Sequence, residues 1–230
     1  MTPPATAVEW LRPPLVCLVT DGQRATGDLL ERVGAAVAGG VRLVQVREKQ
    51  RAAGDLLELV LALHARVAGR AALLVSDRLD VALAAGADGV HLPTAGLPPG
   101  VARALAPRLL LGRSVHAPSE AAAMMRDGVD YLLLGTIFAT ASHPGVAPGG
   151  LALVRATRAR VAGRLLCIGG IGPGNAADVV RAGADGVAAV SAILSAPDPE
   201  AAARALVAAV QEGWAARQRT AIAAGVPTCT

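Results

Sequence analysis

The chain is poor in aromatic residues: two Trp, one Tyr and one Phe make up 2% of its 230 residues. Such a sequence has few side chains on which nucleic-acid bases could stack. Its 22 Lys and Arg residues are scattered, and no basic run with interleaved aromatics accompanies the net charge of +4. Nucleic acid is therefore not an expected partner, and the positive excess fits small phosphorylated anions better. Lysine is almost missing. Lys49 is the single lysine among the 22 basic residues, which hints at a place where a compact ammonium matters. Cysteine is scarce too. Cys17, Cys167 and Cys229 are odd in number and have no CxxC spacing, which argues against a disulfide framework and a structural zinc site. Buried thiols in a reducing cytoplasm are the expected state. Mean hydropathy is +0.47, yet Arg and Asp interrupt every apolar run before it could span a bilayer. The opening MTPPATAVEWLRPP lacks the basic and apolar regions of a signal peptide. A cytoplasmic protein without membrane partners is expected.

What the chain does contain is a regular alternation. Short apolar runs at 15–20, 41–47, 72–77, 89–92, 109–114, 130–135, 165–170 and 186–191 have the length of strands. Between and after them, segments 25–38, 53–68, 79–85, 100–106, 118–127, 150–161, 174–182 and 198–218 have helical periodicity. Strands apolar on both faces and separated by helices indicate a parallel sheet, and eight such units in this length indicate a single (β/α)8 barrel. The expected organisation is one TIM-barrel domain over 1–230, with a core at about 15–218, an N-terminal extension at 1–14 and a frayed tail at 219–230.

An internal repeat supports the barrel. AAGADGVHL at 84–92 returns as RAGADGVAAV at 181–190 and more loosely as RDGVDYLLL at 126–134. Each Gly closes a helix and each Asp precedes a strand, so Asp88, Asp130 and Asp185 belong at the bottom of the barrel as turn caps. Chemistry in this fold gathers at the opposite, C-terminal ends of the strands.

Those ends carry Gln45, Arg47 and Lys49 after the second strand, and Ser76 and Asp77 after the third. His91 and Thr94 follow the fourth; Arg113, Ser114 and His116 follow the fifth. The alternation in VQVREK puts Gln45, Arg47 and Lys49 on one side of an extended strand, where two cations call for an anionic partner. A sixteen-residue loop, GTIFATASHPGVAPGG at 135–150, reads as a lid bearing Thr136, Thr140, Ser142 and His143. Glycines in CIGGIGPGN, with Val190 and Ser191 after the eighth strand, form a candidate phosphate cradle at Gly169, Gly170, Val190 and Ser191. His64 lies mid-helix and reads as structural.

Together, VQVREK, VSDRLDVALAAGADGVHL, GRSVHAPSEA, DYLLLGTIFATASHPG, CIGGI and GADGVAAVSAI resemble the thiamine phosphate synthase and TenI superfamily, from about residue 15 to 195. The resemblance implies that the cradle holds the phosphate of a hydroxyethylthiazole phosphate. It also implies one of two chemistries. The synthase branch joins an aminopyrimidine diphosphate to the thiazole phosphate with magnesium, expelling pyrophosphate through a pyrimidine cation. The TenI branch moves a proton to aromatise a thiazole carboxylate phosphate.

The synthase pattern has Asn-Asp where this chain has Ser76-Asp77, an acidic stretch where it has Pro93-Thr94-Ala95-Gly96, and a Lys where it has His143. HLPTAG and GRSVH look more like TenI, although Thr136 stands where the tautomerase has its catalytic His. The reading drawn from these departures is a TenI-like thiazole tautomerase. Its candidate catalytic groups are His143, His116 and Lys49; its candidate substrate contacts are Gln45, Arg47, Ser76, Asp77, His91, Ser114, Thr136, Thr140 and Ser142. On that reading no cofactor or metal is expected. The alternative is a thiamine phosphate synthase, which would bring magnesium; the second alternative is a non-catalytic barrel that binds a phosphorylated thiazole. A homodimer is compatible with the resemblance but not required by it.

Overall fold

The computed structural model describes residues 7–22, 25, 27–140 and 145–223. After a one-turn helix α1 (Ala7–Trp10) the chain alternates strand and helix. The first half comprises β1 (Leu15–Val19), α2 (Leu29–Ala38), β2 (Leu43–Val46), α3 (Ala53–Val67), β3 (Ala72–Ser76), α4 (Leu79–Ala85), β4 (Gly89–Leu92) and α5 (Pro99–Leu105). The second comprises β5 (Leu110–Val115), α6 (Pro118–Arg126), β6 (Tyr131–Leu134), α7 (Gly150–Arg158), β7 (Arg164–Ile168), α8 (Ala176–Arg181), β8 (Gly186–Ala189), α9 (Ser191–Leu194) and α10 (Pro199–Ala223). All eight strands are parallel and pair in chain order, and β1 pairs with β8 to close the barrel. The expected single (β/α)8 architecture is what the chain forms.

Alternation along each strand sorts the side chains into two cores. Leu15, Cys17 and Val19 join Leu43, Leu74, Leu110, Tyr131 and Leu166 inside the barrel. Val16 and Leu18 point outward and pack with Val33, Val60 and Leu63 of the surrounding helices. Each fully buried Leu or Val contributes about 1.5–3 kcal/mol, so both faces of every strand must be apolar, as the sequence shows.

The repeated Asp residues close the bottom of the barrel. The Asp88, Asp130 and Asp185 carboxylates accept from the backbone N–H groups of Leu73, Leu111 and Leu165 at 2.8, 2.7 and 2.9 Å. Each therefore ties the start of its own strand to the start of the preceding one. Asp185 is 3% exposed and lies 3.1 Å from Arg158 and 3.6 Å from Arg217, so this buried carboxylate is balanced by two guanidinium groups.

Among the boundaries that differ from the sequence expectation, three bear on the helices around the barrel. Helix α2 starts at Leu29 rather than 25, because the Asp28 side chain accepts from Leu30 N–H and caps it. The last helix runs through residue 218 to Ala223, where fraying was expected from 219; residues 224–230 lie outside the described residues. The short α9, expected only as a turn, begins directly at the candidate cradle. No helix among the described residues is long and apolar enough to cross a membrane.

Candidate active site

The strand C-termini surround a cavity of about 1000 Å³. Nearly every expected site residue among the described ones lines it, from Gln45, Arg47 and Lys49 through Ser76, Asp77, His91, Ser114 and His116 to Thr136, Thr140, Gly169, Gly170, Val190 and Ser191. Ser142 and His143 lie outside the described residues. His64 lies in the last turn of α3 rather than mid-helix, and it does not line the cavity.

At the β7–β8 side the backbone is bent to leave room. Gly169 and Gly170 have φ of 108° and 61°, a region that side chains disfavour. They also lie beneath the loop after β6: a Cβ on Gly169 would come 2.7 Å from Thr136 Cγ2, and one on Gly170 would come 2.5 Å from the Ala139 carbonyl. Backbone bonds from Ile137 and Phe138 N–H to the Ile168 and Gly169 carbonyls fasten that loop down. The glycines therefore serve loop packing as well as leaving the rim open. Asn175 shapes the same turn, accepting from Gly172 N–H at 2.9 Å and donating to the Gly170 carbonyl at 3.0 Å. The first N–H groups of α9, at Ser191 and Ala192, have no intrahelical acceptor and sit on the cavity wall.

The β2 side is cationic. Arg47, Lys49 and Arg51 all line the cavity there. Two residues missed in the sequence hold this stretch. Buried Thr20 donates to Glu48 Oε1 at 2.7 Å and accepts from Arg47 N–H at 3.0 Å. Glu48 also accepts from Gly22 N–H, with both oxygens at 3.1 Å. The only signal in the sequence was a carboxylate set between two cations in REK.

Between these sides lies a polar floor. Gln45 is 2% exposed and donates weakly to Ser76 Oγ at 3.4 Å, while its Oε1 is buried with no partner among the described residues. His91 is 1% exposed, with Nδ1 2.9 Å from Tyr131 Oη and Nε2 2.8 Å from Ser114 Oγ. Burial first, then the positive charges of Arg113 and Arg47, hold its pKa down to about 3. A neutral imidazole bonded through both nitrogens cannot stand in for a missing carboxylate. His116 is exposed at the rim; its Nδ1 lies 2.6 Å from the Gly135 carbonyl and its Nε2 3.2 Å from Thr94 Oγ1. A carbonyl only accepts, so Nδ1 carries the proton there. Arg113, which the sequence put among the site groups, instead donates to the Leu97 and Thr94 carbonyls and braces the loop after β4.

Three carboxylates reach the cavity, at Asp21, Glu48 and Asp77. Glu48 is committed to Thr20 and Gly22. Asp77, exposed beside Gly96, accepts no hydrogen bond from a described residue. Among the described residues no group of three or more His, Cys, Asp or Glu could enclose a metal ion. Magnesium, however, is commonly held by one or two carboxylates together with substrate phosphates and water. Asp77 fits that arrangement when the substrate itself brings phosphate oxygens.

The family profile described as thiamine monophosphate synthase matches residues 16–193. A thiamine-phosphate synthase of Chloroflexus aurantiacus is 49% identical over 186 residues, covering 78% of this chain and 86% of that protein. Another, from Anaeromyxobacter dehalogenans, is 44% identical over 195 residues, covering 84% and 88%. The solved thiamine phosphate pyrophosphorylase of Pyrococcus furiosus superposes with a TM-score of 0.81 at 33% identity, covering 88% of this chain and 98% of that one. These findings correct the expected tautomerase assignment: relatives this similar carry the synthase name, without the TenI reading drawn from HLPTAG. The chain belongs to the thiamine monophosphate synthase family.

Proposed function

We propose that this protein is a thiamine phosphate synthase, a transferase that joins an aminopyrimidine diphosphate to a thiazole phosphate and releases pyrophosphate. The observation that carries the reading is a single cavity with an anion-receiving rim at each side. Glycine-rich backbone at Gly169 and Gly170 with Ser191 lies on one wall, and Arg47, Lys49 and Arg51 on another. A tautomerase needs one phosphate site; a synthase must hold a phosphate and a diphosphate at once, and about 1000 Å³ is room enough for both.

The residues divide the work by their chemistry. The Gly169–Gly170 turn and the Ser191 end of α9 receive the thiazole phosphate through backbone N–H groups and a hydroxyl. Arg47 and Lys49, steadied by Glu48, meet the diphosphate and stabilise the charge that builds as its C–O bond breaks and pyrophosphate leaves with the electron pair. Buried Gln45 Oε1, which has no partner among the described residues, accepts from the amino group of the pyrimidine. Asp77 is the group that would hold magnesium against the diphosphate. When bound, that ion supplies charge neutralisation for the leaving pyrophosphate.

The test is turnover. Purified protein with both substrates and magnesium should release pyrophosphate and thiamine phosphate in equal amounts, and EDTA should abolish both. Asp77→Asn should raise the magnesium concentration needed for half-maximal rate by about tenfold or more, since one charged ligand is lost. No thiamine phosphate at saturating substrates and magnesium would overturn the assignment.

A further inference from the structure

The one tyrosine of the chain is fully buried inside the barrel and reaches across a strand to do so. His91 on β4 stands opposite Gly112 on β5, and Gly112 stands opposite Tyr131 on β6. A Cβ on Gly112 would fall 2.1 Å from Tyr131 Cζ, so the missing side chain is what lets the phenol lie over β5. Its Oη ends 2.9 Å from His91 Nδ1, and His91 Nε2 is 2.8 Å from Ser114 Oγ, on the cavity wall. Three side chains thus form one line from the barrel interior to the cavity.

The direction of that line follows from its hydrogens. His91 is 1% exposed and the charges that bear on it, Arg113 and Arg47, are both positive, so the ring is neutral and carries one proton. If that proton were on Nδ1, Tyr131 would have to accept it. The phenol hydrogen would then be buried without an acceptor among the described residues, an unmade bond that folded proteins avoid. If Tyr131 donates to Nδ1 instead, every hydrogen is used. The proton sits on Nε2 and is donated to Ser114 Oγ. The Ser114 hydroxyl hydrogen, no longer directed at the ring, is free to turn into the cavity.

We propose that Tyr131 is a positioning residue which, through His91, sets the Ser114 hydroxyl as a hydrogen-bond donor to an acceptor atom of the bound substrate. This rests on the synthase reading only for the reaction that reports it. Ser114 touches the cavity; Tyr131 does not, and acts two side chains away.

Two measurements test it. Long-range proton–nitrogen correlation spectra of the substrate-free protein, with the ring signals assigned by their loss in His91→Gln, should show the proton of His91 on Nε2. A proton on Nδ1 overturns the proposal, whether or not the protein proves to be a synthase. In steady-state kinetics, Tyr131→Phe keeps the ring and removes only the hydroxyl. It should lower kcat/KM about fivefold in the native background, as expected for one misdirected hydrogen bond. Ser114→Ala should lower kcat/KM about tenfold, and adding Tyr131→Phe to it should cost nothing further. A merely structural tyrosine would give the same loss in both backgrounds, and that additivity would also overturn the proposal. Should Tyr131→Phe fail to fold, the native tautomer still decides.

Discussion

Glu48 holds Thr20 at 2.7 Å across the gap between the loops that follow β1 and β2. The carboxylate is acceptor for a hydroxyl and for the Gly22 N–H, and the same hydroxyl accepts from Arg47 N–H. One buried threonine therefore ties the backbone N–H of Arg47 to the carboxylate of Glu48. Hydrogen bonds to a charged group are worth about 1.5–3 kcal/mol each, enough to fix two otherwise mobile loop residues.

Glu48→Ala should therefore act on substrate binding more than on the fold. The expected result is a rise of about tenfold in KM for the pyrimidine diphosphate, as Arg47 and Lys49 lose their fixed geometry. Thr20→Val should do the same, since it removes the shared hydroxyl at constant volume. Steady-state kinetics with each substrate varied in turn checks this, and an effect confined to the thiazole KM would count against the placement.

A carboxylate at the cradle should expel the phosphate. Gly170→Asp introduces like charge at the rim proposed to receive the phosphate and also strains a backbone with φ of 61°. Calorimetry should find thiazole phosphate affinity reduced by at least about a hundredfold, roughly 2.7 kcal/mol. Gly170→Ala separates the two causes, because it brings the steric conflict with the Ala139 carbonyl without the charge. Equal losses in the two variants would assign the glycine to loop packing alone.

The buried histidine gives the fold a defined response to acid. An unfolded chain protonates His91 near an ordinary pKa of about 6.5, while burial and two cations hold the folded value down to about 3. Between these values the unfolded state binds more protons, so stability must fall as pH drops below the upper one; above it the group contributes no slope. Melting temperatures of native protein and His91→Gln, followed from pH of about 7.5 to 4, should converge or cross as acid is added. Parallel curves would mean that His91 takes up its proton without unfolding.

The barrel was legible because its pattern is local. Apolar runs such as LVCLV and ALLVS are buried on both faces, and Gly-Ala-Asp-Gly at 86–89 and 183–186 marks where α4 and α8 stop and β4 and β8 start. The turn at Gly169 and Gly170 and the start of α9 were legible as parts of the cavity wall for the same reason, since each depends on its own short stretch of backbone. The ends of α2 and α10 were less so, because one depends on a single capping carboxylate at Asp28 and the other on packing along α8.

What the amino-acid order alone could not decide was which polar residues face the cavity and which serve each other. REK reads as a cation pair with an acid between, yet only the closed barrel brings Thr20 to Glu48, 28 positions away. GRSVH reads as a group of site residues, yet Arg113 turns to the Leu97 and Thr94 carbonyls and does not line the cavity, while Ser114 does. HLPTAG reads as a loop stripped of acids, which points toward the tautomerase, whereas similarity over most of the chain places it in the thiamine monophosphate synthase family. Elements are legible because burial acts locally, on short continuous apolar runs in the strands and on every third or fourth residue in the helices. Site geometry depends on strands brought together from all around the barrel, and only the register of the closed sheet places His91, Gly112 and Tyr131 in one line.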